Sequence, residues 1–122
     1  MYKGRVELLV TDPSTGEQVF APLCGMEDLG YAQEVAKLAC KQIVDWPYVG
    51  MDVEGWPDEP VAVPAEPEAS DDGAFRPSRY PVWAALPEGE PTDGLVALQQ
   101  LGPRLSGEPC ATLFTLHCNY MA

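Results

Sequence analysis

The sequence predicts an α+β fold: a mainly antiparallel sheet with one main helix and one short helix on one face. Three observations carry this expectation. An apolar alternation near the N-terminus is broken by the turn sequence Asp12-Pro13-Ser14-Thr15-Gly16. An apolar stripe of helical period covers residues 28–44, and a second alternation covers 110–120. Hairpins joined to single helices favour antiparallel pairing with the helices on one side.

Residues 5–11 read as a strand, with Val6, Leu8 and Val10 alternating against Arg5, Glu7 and Leu9. Pro13 suits the second turn position, and Gly16 can take the left-handed conformation that closes a hairpin. Residues 17–23, with Val19 and Phe20, form the return strand. In the helix, Ala32, Val35, Ala36, Ala39, Cys40 and Ile43 fall on one face, with Glu34, Lys37 and Lys41 opposite. Glu27 and Asp28 put negative charge where the helix dipole favours it, and Pro47 stops the helix by Trp46. The small residues of the stripe imply close packing on a sheet.

The chain then changes character. From Gln42 to Phe75 there are nine acids, five prolines and no Lys or Arg. Short extended pieces are expected at 48–54 and 60–63, and a surface loop at 64–74, within a Pro-rich acidic region of about 45–75. Neither flank is long enough for a separate domain, so residues 1–122 read as a single domain. Residues 79–86 read as a strand, at a sheet edge because of Pro81. Residues 93–101 read as a short helix capped by Thr92 or Asp93, carrying Leu95, Leu98 and Leu101 and ended by Gly102-Pro103. In 110–120, Phe114, Leu116, Cys118 and Tyr120 share one face, and Leu113, Thr115, His117 and Asn119 the other. The expected core is Val6, Leu8, Val10, Val35, Ala39, Ile43, Phe114 and Leu116.

Composition narrows the function. Nineteen acids against seven Lys or Arg give a net charge of −12. Such a chain repels nucleic acid and anionic membranes and is drawn to basic surfaces. The plainer reading is that acidity serves solubility. No apolar run approaches membrane-spanning length, and Glu7 interrupts what a secretory leader would need. A cytoplasmic location with Cys24, Cys40, Cys110 and Cys118 as reduced thiols is therefore expected.

Catalytic and cofactor chemistry find little footing. No C-x-x-C pair accompanies the single His117, so no metal site is expected, and phosphate-cradling glycine loops are absent. The strongest enzymatic arrangement is a thiol beside His117. Cys118 points to the opposite strand face, which leaves Cys24 or Cys110. The alternative is that the cysteines are small core hydrophobes and His117 a surface strand residue. No enzyme, cofactor or metal is expected on this basis.

What stands out is a two-residue spacing of acids: Asp52 and Glu54, Glu66 and Glu68, Glu88 and Glu90. In an extended chain each pair lies on one side, roughly 6.5 Å apart, the order of phosphate spacing on a nucleic-acid strand. Asp45, Asp58, Glu59, Asp71, Asp72 and Asp93 add to the region, and Trp46, Tyr48, Trp56, Tyr80 and Trp83 are interleaved as interface anchors. Such rings also bury themselves beneath loops. The expected partner-binding set is Asp45, Trp46, Asp52, Glu54, Trp56, Asp58, Glu59, Glu88 and Glu90. It fits a small binding or inhibitor protein that presents carboxylates to a basic protein surface, in the manner of a nucleic-acid mimic. In size and charge alone the chain is similar to small acidic phage proteins that block host defence, such as anti-CRISPR proteins. The alternative is a structural or accessory component of a larger assembly, with the Pro-rich region as a docking arm.

Overall fold

The N-terminal hairpin folds around the turn that its sequence announces. In a computed structural model that describes residues 2–44, 52–68, 70 and 73–121, strand β1 (Tyr2–Arg5) precedes β2 (Glu7–Thr11) and β3 (Gln18–Pro22). β2 and β3 pair antiparallel with Leu9 opposite Phe20. Asp12 organises the turn: its Oδ1 accepts the Ser14 backbone N–H at 2.9 Å and the Ser14 hydroxyl at 2.8 Å. Gly16 takes φ +75° and donates its N–H to the Asp12 carbonyl at 2.8 Å. The alternation then sorts the faces, with Val6 and Leu8 buried and Leu9 exposed.

Helix α1 (Leu29–Val44) begins where Asp28 Oδ1 accepts the Tyr31 N–H at 3.2 Å, an N-cap bond. Ala32, Val35, Ala36, Ala39 and Cys40 are all buried. The helix packs mainly on β4 (Asp52–Pro57), the edge of a three-stranded antiparallel sheet completed by β9 (Thr115–Met121) and β1, in the order β1-β9-β4. The approach is close enough to require Gly55. A Cβ there would fall on Cys40 Sγ and lie 2.7 Å from the Ala36 carbonyl oxygen. Smaller two-stranded sheets pair β5 (Val61–Ala62) with β8 (Thr112–Leu113), and β6 (Trp83–Ala85) with β7 (Arg104–Ser106). The fold is thus α+β, with one main helix against several small antiparallel sheets and two 3-10 turns, Pro77–Arg79 and Leu98–Leu101.

Five expectations need correction. The four cysteines are not free: Cys24 is bonded to Cys110 and Cys40 to Cys118. The reason is geometric. The helix stripe carrying Cys40 and the strand face carrying Cys118 meet, with the two Cα atoms 5.6 Å apart, inside the range a disulfide needs. Ile43, expected in the core, is 43% exposed. It lies past the packed part of α1, at the rim of a depression of about 370 Å³ beside Tyr2 and Arg5. The short helix over 93–101 reduces to the 3-10 turn Leu98–Leu101. Gly94 takes φ +76°, and the Gln100 side chain occupies the Val96 and Ala97 N–H groups at 2.8 and 3.0 Å. Leu98 and Leu101 are buried, so the leucine pattern reports core contact without a full helix. The strand of 79–86 shortens to β6, which is no edge, with β7 on one side and a bridge to Leu23 on the other; Trp83 is covered by Phe75 and Tyr80 and Ala84 lies in the core, so both are buried. The last strand breaks at Phe114, and Leu113, expected opposite Phe114, is buried with it.

Candidate partner-binding surface

Strand β4 places its residues alternately toward α1 and away from it. Gly55 faces Ala36 and Cys40, so Glu54 and Trp56 lie on the outer face. There, Glu54 stands opposite Asn119 and Trp56 opposite His117. The indole and imidazole stack, with centroids 5.1 Å apart and planes inclined by 21°. Trp56 nevertheless remains 36% exposed. His117 Nδ1 lies 2.9 Å from Asp58 Oδ1, and in the tautomer with the hydrogen on Nδ1 the ring donates to the carboxylate. Asp58 Oδ2 is buried and accepts no hydrogen bond among the described residues.

The turn after β4 carries Glu59, exposed, with its carbonyl accepting the Thr115 hydroxyl at 3.0 Å. Glu59 and Glu27 line one open depression of about 780 Å³, which also exposes the Cys24–Cys110 disulfide. Glu88 Oε1 in turn accepts the Glu27 N–H at 3.2 Å. Glu88 and Glu90 lie close enough to Tyr31 to act on it. Burial, then the charges of Glu90 and Glu88, push the Tyr31 phenol above its usual range. The fold therefore gathers Glu59, Glu27, Glu88 and Glu90 around the start of α1. On the other side of β4, Glu54, Trp56, Glu34 and Asp93 border a groove of about 680 Å³ floored partly by Lys37 and Lys41. Among the described residues, Glu27, Glu54, Glu59, Glu88 and Glu90 form no ion pair; Arg5 pairs with Glu7 and Arg76 with Glu66.

Of the nine expected site residues, Glu54, Trp56, Glu59, Glu88 and Glu90 lie on this surface, while the Asp58 carboxylate turns to His117. Asp52 begins β4, while Asp45 and Trp46 fall outside the described residues, as does Tyr48. Asp52 and Glu54 share an extended strand. Glu88 and Glu90 flank Gly89, whose φ of +83° bends the chain. Glu66 is engaged within the protein. It accepts the Ser78 hydroxyl at 2.7 Å and the Ser78 N–H at 3.1 Å, and these bonds hold its carboxyl below the usual range. The ring anchors also divide. Trp83 is 1% exposed and Tyr80 is half-buried, stacked on Phe75 at 5.2 Å, so that among the described anchors Trp56 is the exposed ring.

Sequence reasoning missed Glu27 and Glu34 as surface partners, because their proximity to Glu88 and Asp93 depends on tertiary contacts. It also missed the Trp56–His117–Asp58 group. Its signal was available in the alternation that puts Trp56 and His117 on outer strand faces, but the register that joins them was not. With both cysteine pairs oxidised, no thiol is free to pair with His117. Among the described residues, no helix is long and apolar enough to cross a membrane. Compared with known protein families, curated proteins and solved structures, the chain matches none.

Proposed function

We propose that this protein is a binding protein whose acidic surface docks on a basic surface of a partner protein. The observation that carries the reading is the gathering of exposed carboxylates that form no ion pair among the described residues: Glu54 on β4, and Glu59, Glu27, Glu88 and Glu90 around the start of α1. Surface charge kept only for solubility has no reason to converge, whereas complementary potentials steer association. Trp56 supplies an apolar anchor beside these acids, its back supported by His117.

The test is binding kinetics across a salt series with a basic protein partner. Replacing Glu54, Glu59, Glu88 and Glu90 with glutamine keeps side-chain shape and leaves an amide oxygen at position 88 to accept the Glu27 N–H. Association should slow by about 3- to 10-fold at low salt and its salt slope should flatten, with thermal stability nearly unchanged. Trp56→Ala should instead speed dissociation by about 10-fold or more. Unchanged association and salt slope in the glutamine variant would reduce the acids to a solvated surface. The reading of an assembly component would then be the better one.

A further inference from the structure

The sheet edges of this molecule are treated unequally. Asp58 donates its N–H to the Thr115 carbonyl at 2.9 Å, continuing the β4–β9 ladder, so Glu54, Trp56 and Asp58 bond to β9 and Val53 and Gly55 turn outward. The Gly55 carbonyl is then capped by Gln33 Nε2 at 2.8 Å, beneath α1. On β1 the outward Arg5 carbonyl accepts the Tyr2 hydroxyl at 2.7 Å. On β2 the outward Leu9 carbonyl accepts Gln99 Nε2 at 3.2 Å.

Among the described residues, β3 has not even one such bond on its outward groups. Asp12 N–H to Glu17 O and Leu23 N–H to Val6 O extend the hairpin ladder at both ends. The odd-numbered residues of β3 therefore bond to β2, and Gln18, Phe20 and Pro22 turn their backbone groups outward. At the far end the place beside β3 is taken by β6, through the parallel bridge of Leu23 with Ala84 and the Cys24 N–H to the Ala84 carbonyl at 2.8 Å. Below it, the N–H and C=O groups of Gln18 and Phe20 meet no partner among the described residues, and both residues are exposed. The same stretch exposes an apolar cross-strand pair, Phe20 at 57% and Leu9 at 42%.

We propose that the open edge of β3 docks an extended segment of a basic partner, added as a further strand with its apolar side chains against Phe20, which Leu9 flanks from β2. An unpaired edge beside an apolar pair is the arrangement that strand addition uses, with backbone bonds for affinity and alternate side chains for selectivity. The charge selects the occupant. From Val6 to Leu23 the hairpin carries Glu7, Asp12 and Glu17 and no Lys or Arg, and Glu17, next to the open edge, is exposed and forms no ion pair among the described residues. A second copy would bring a further −12 to the same place. This inference rests on the reading of a basic partner and adds where and in what conformation that partner is held.

The experiment uses the full chain, labelled for backbone amide NMR, and the peptide acetyl-Lys-Val-Lys-Val-Lys-Val-Lys-amide. Titration should shift the Gln18 and Phe20 amides and slow their hydrogen exchange. The matching peptide with Glu in place of Lys should bind at least about 10-fold more weakly. Gln18→Pro, which removes an outward N–H and no ladder bond, should weaken binding by about 10-fold or more. A Lys peptide N-methylated at alternate residues tests the same bonds without altering the protein, and should also fail to bind. If the peptide shifts Glu54, Glu59 and Glu88 and leaves Gln18 and Phe20 unmoved, the edge proposal fails while the acidic-surface reading stands. If neither region responds at low salt, both fail. Shifts at Gln18 and Phe20 that depend on protein concentration alone would make a second copy the occupant and overturn the basic segment.

Discussion

Asp12 shows how much one side chain can specify. It is 6% exposed, accepts two bonds from Ser14, and lends its backbone N–H and C=O to Glu17 and Gly16. The Ser14 backbone bond, then its hydroxyl, hold the carboxyl below its ordinary value of 3.8. A lowered folded value means that the ionised form stabilises the fold. That contribution is complete above 3.8 and is lost as pH falls through the lower folded value. Asp12→Ala should therefore lower the melting temperature at pH 7, and the gap from wild type should close as pH drops below 3.8. Melting curves of both proteins from neutral to strongly acidic pH check this. Asp12 was legible in the sequence because turn chemistry is local. Gly55 was not, because its need for a missing Cβ arises only when α1 lies on β4. Gly55→Ala should cost about 1–3 kcal/mol by overpacking, measured by denaturant unfolding. Gly30, with only the Asp28 carboxylate near its Cβ position, should tolerate alanine far better.

At the scale of elements, the helix and hairpin were legible and the short pieces were not. α1 shows several turns of one period and an N-cap, and β2–β3 are joined by a turn with its own signature. The span 93–101 also showed leucines at helical spacing, yet Gly94 and the Gln100 side chain compete for the backbone there. Two leucines reach the core from a single 3-10 turn, so a short apolar period cannot distinguish the two. The candidate surface divides in the same way. Glu54 and Trp56 were readable from strand alternation, but Glu27 reaches Glu88 across sixty-one residues of sequence. Ala39 tests the helix face. It is 2% exposed within the stripe that meets the core. Ala39→Lys should cost more than about 3 kcal/mol and leave the chain largely unfolded, as read by far-UV circular dichroism. Glu34→Lys, on the solvent face, should leave the helix signal intact.

For the whole molecule, the two disulfides close long segments onto one core. Cys24–Cys110 spans 86 residues and Cys40–Cys118 spans 78. Their membership of apolar faces was readable for Cys40 and Cys118. Their pairing was not, since it depends on α1 lying across β9. Links of this length restrict the unfolded chain, each typically by about 2–4 kcal/mol. That is a large share of the roughly 5–15 kcal/mol that holds an ordinary domain together. The two bonds should not respond alike. Cys40 and Cys118 are fully buried, while Cys24 and Cys110 are half-exposed on an open depression. A thiolate must reach the sulfur it attacks, so access orders their reduction. Native protein treated with a small dithiol and then alkylated should label Cys24 and Cys110 first, with Cys40 and Cys118 labelled only on unfolding. The melting temperature should drop by about 10 °C at the first step, since each kcal/mol moves a domain of this size by several degrees. Mass spectrometry of the alkylated peptides decides the order. Simultaneous labelling of all four would mean that the exposed bond holds the whole fold closed. Thiols already free in protein taken from its own cell under acid quench would place it in a reducing setting, where such bonds do not persist.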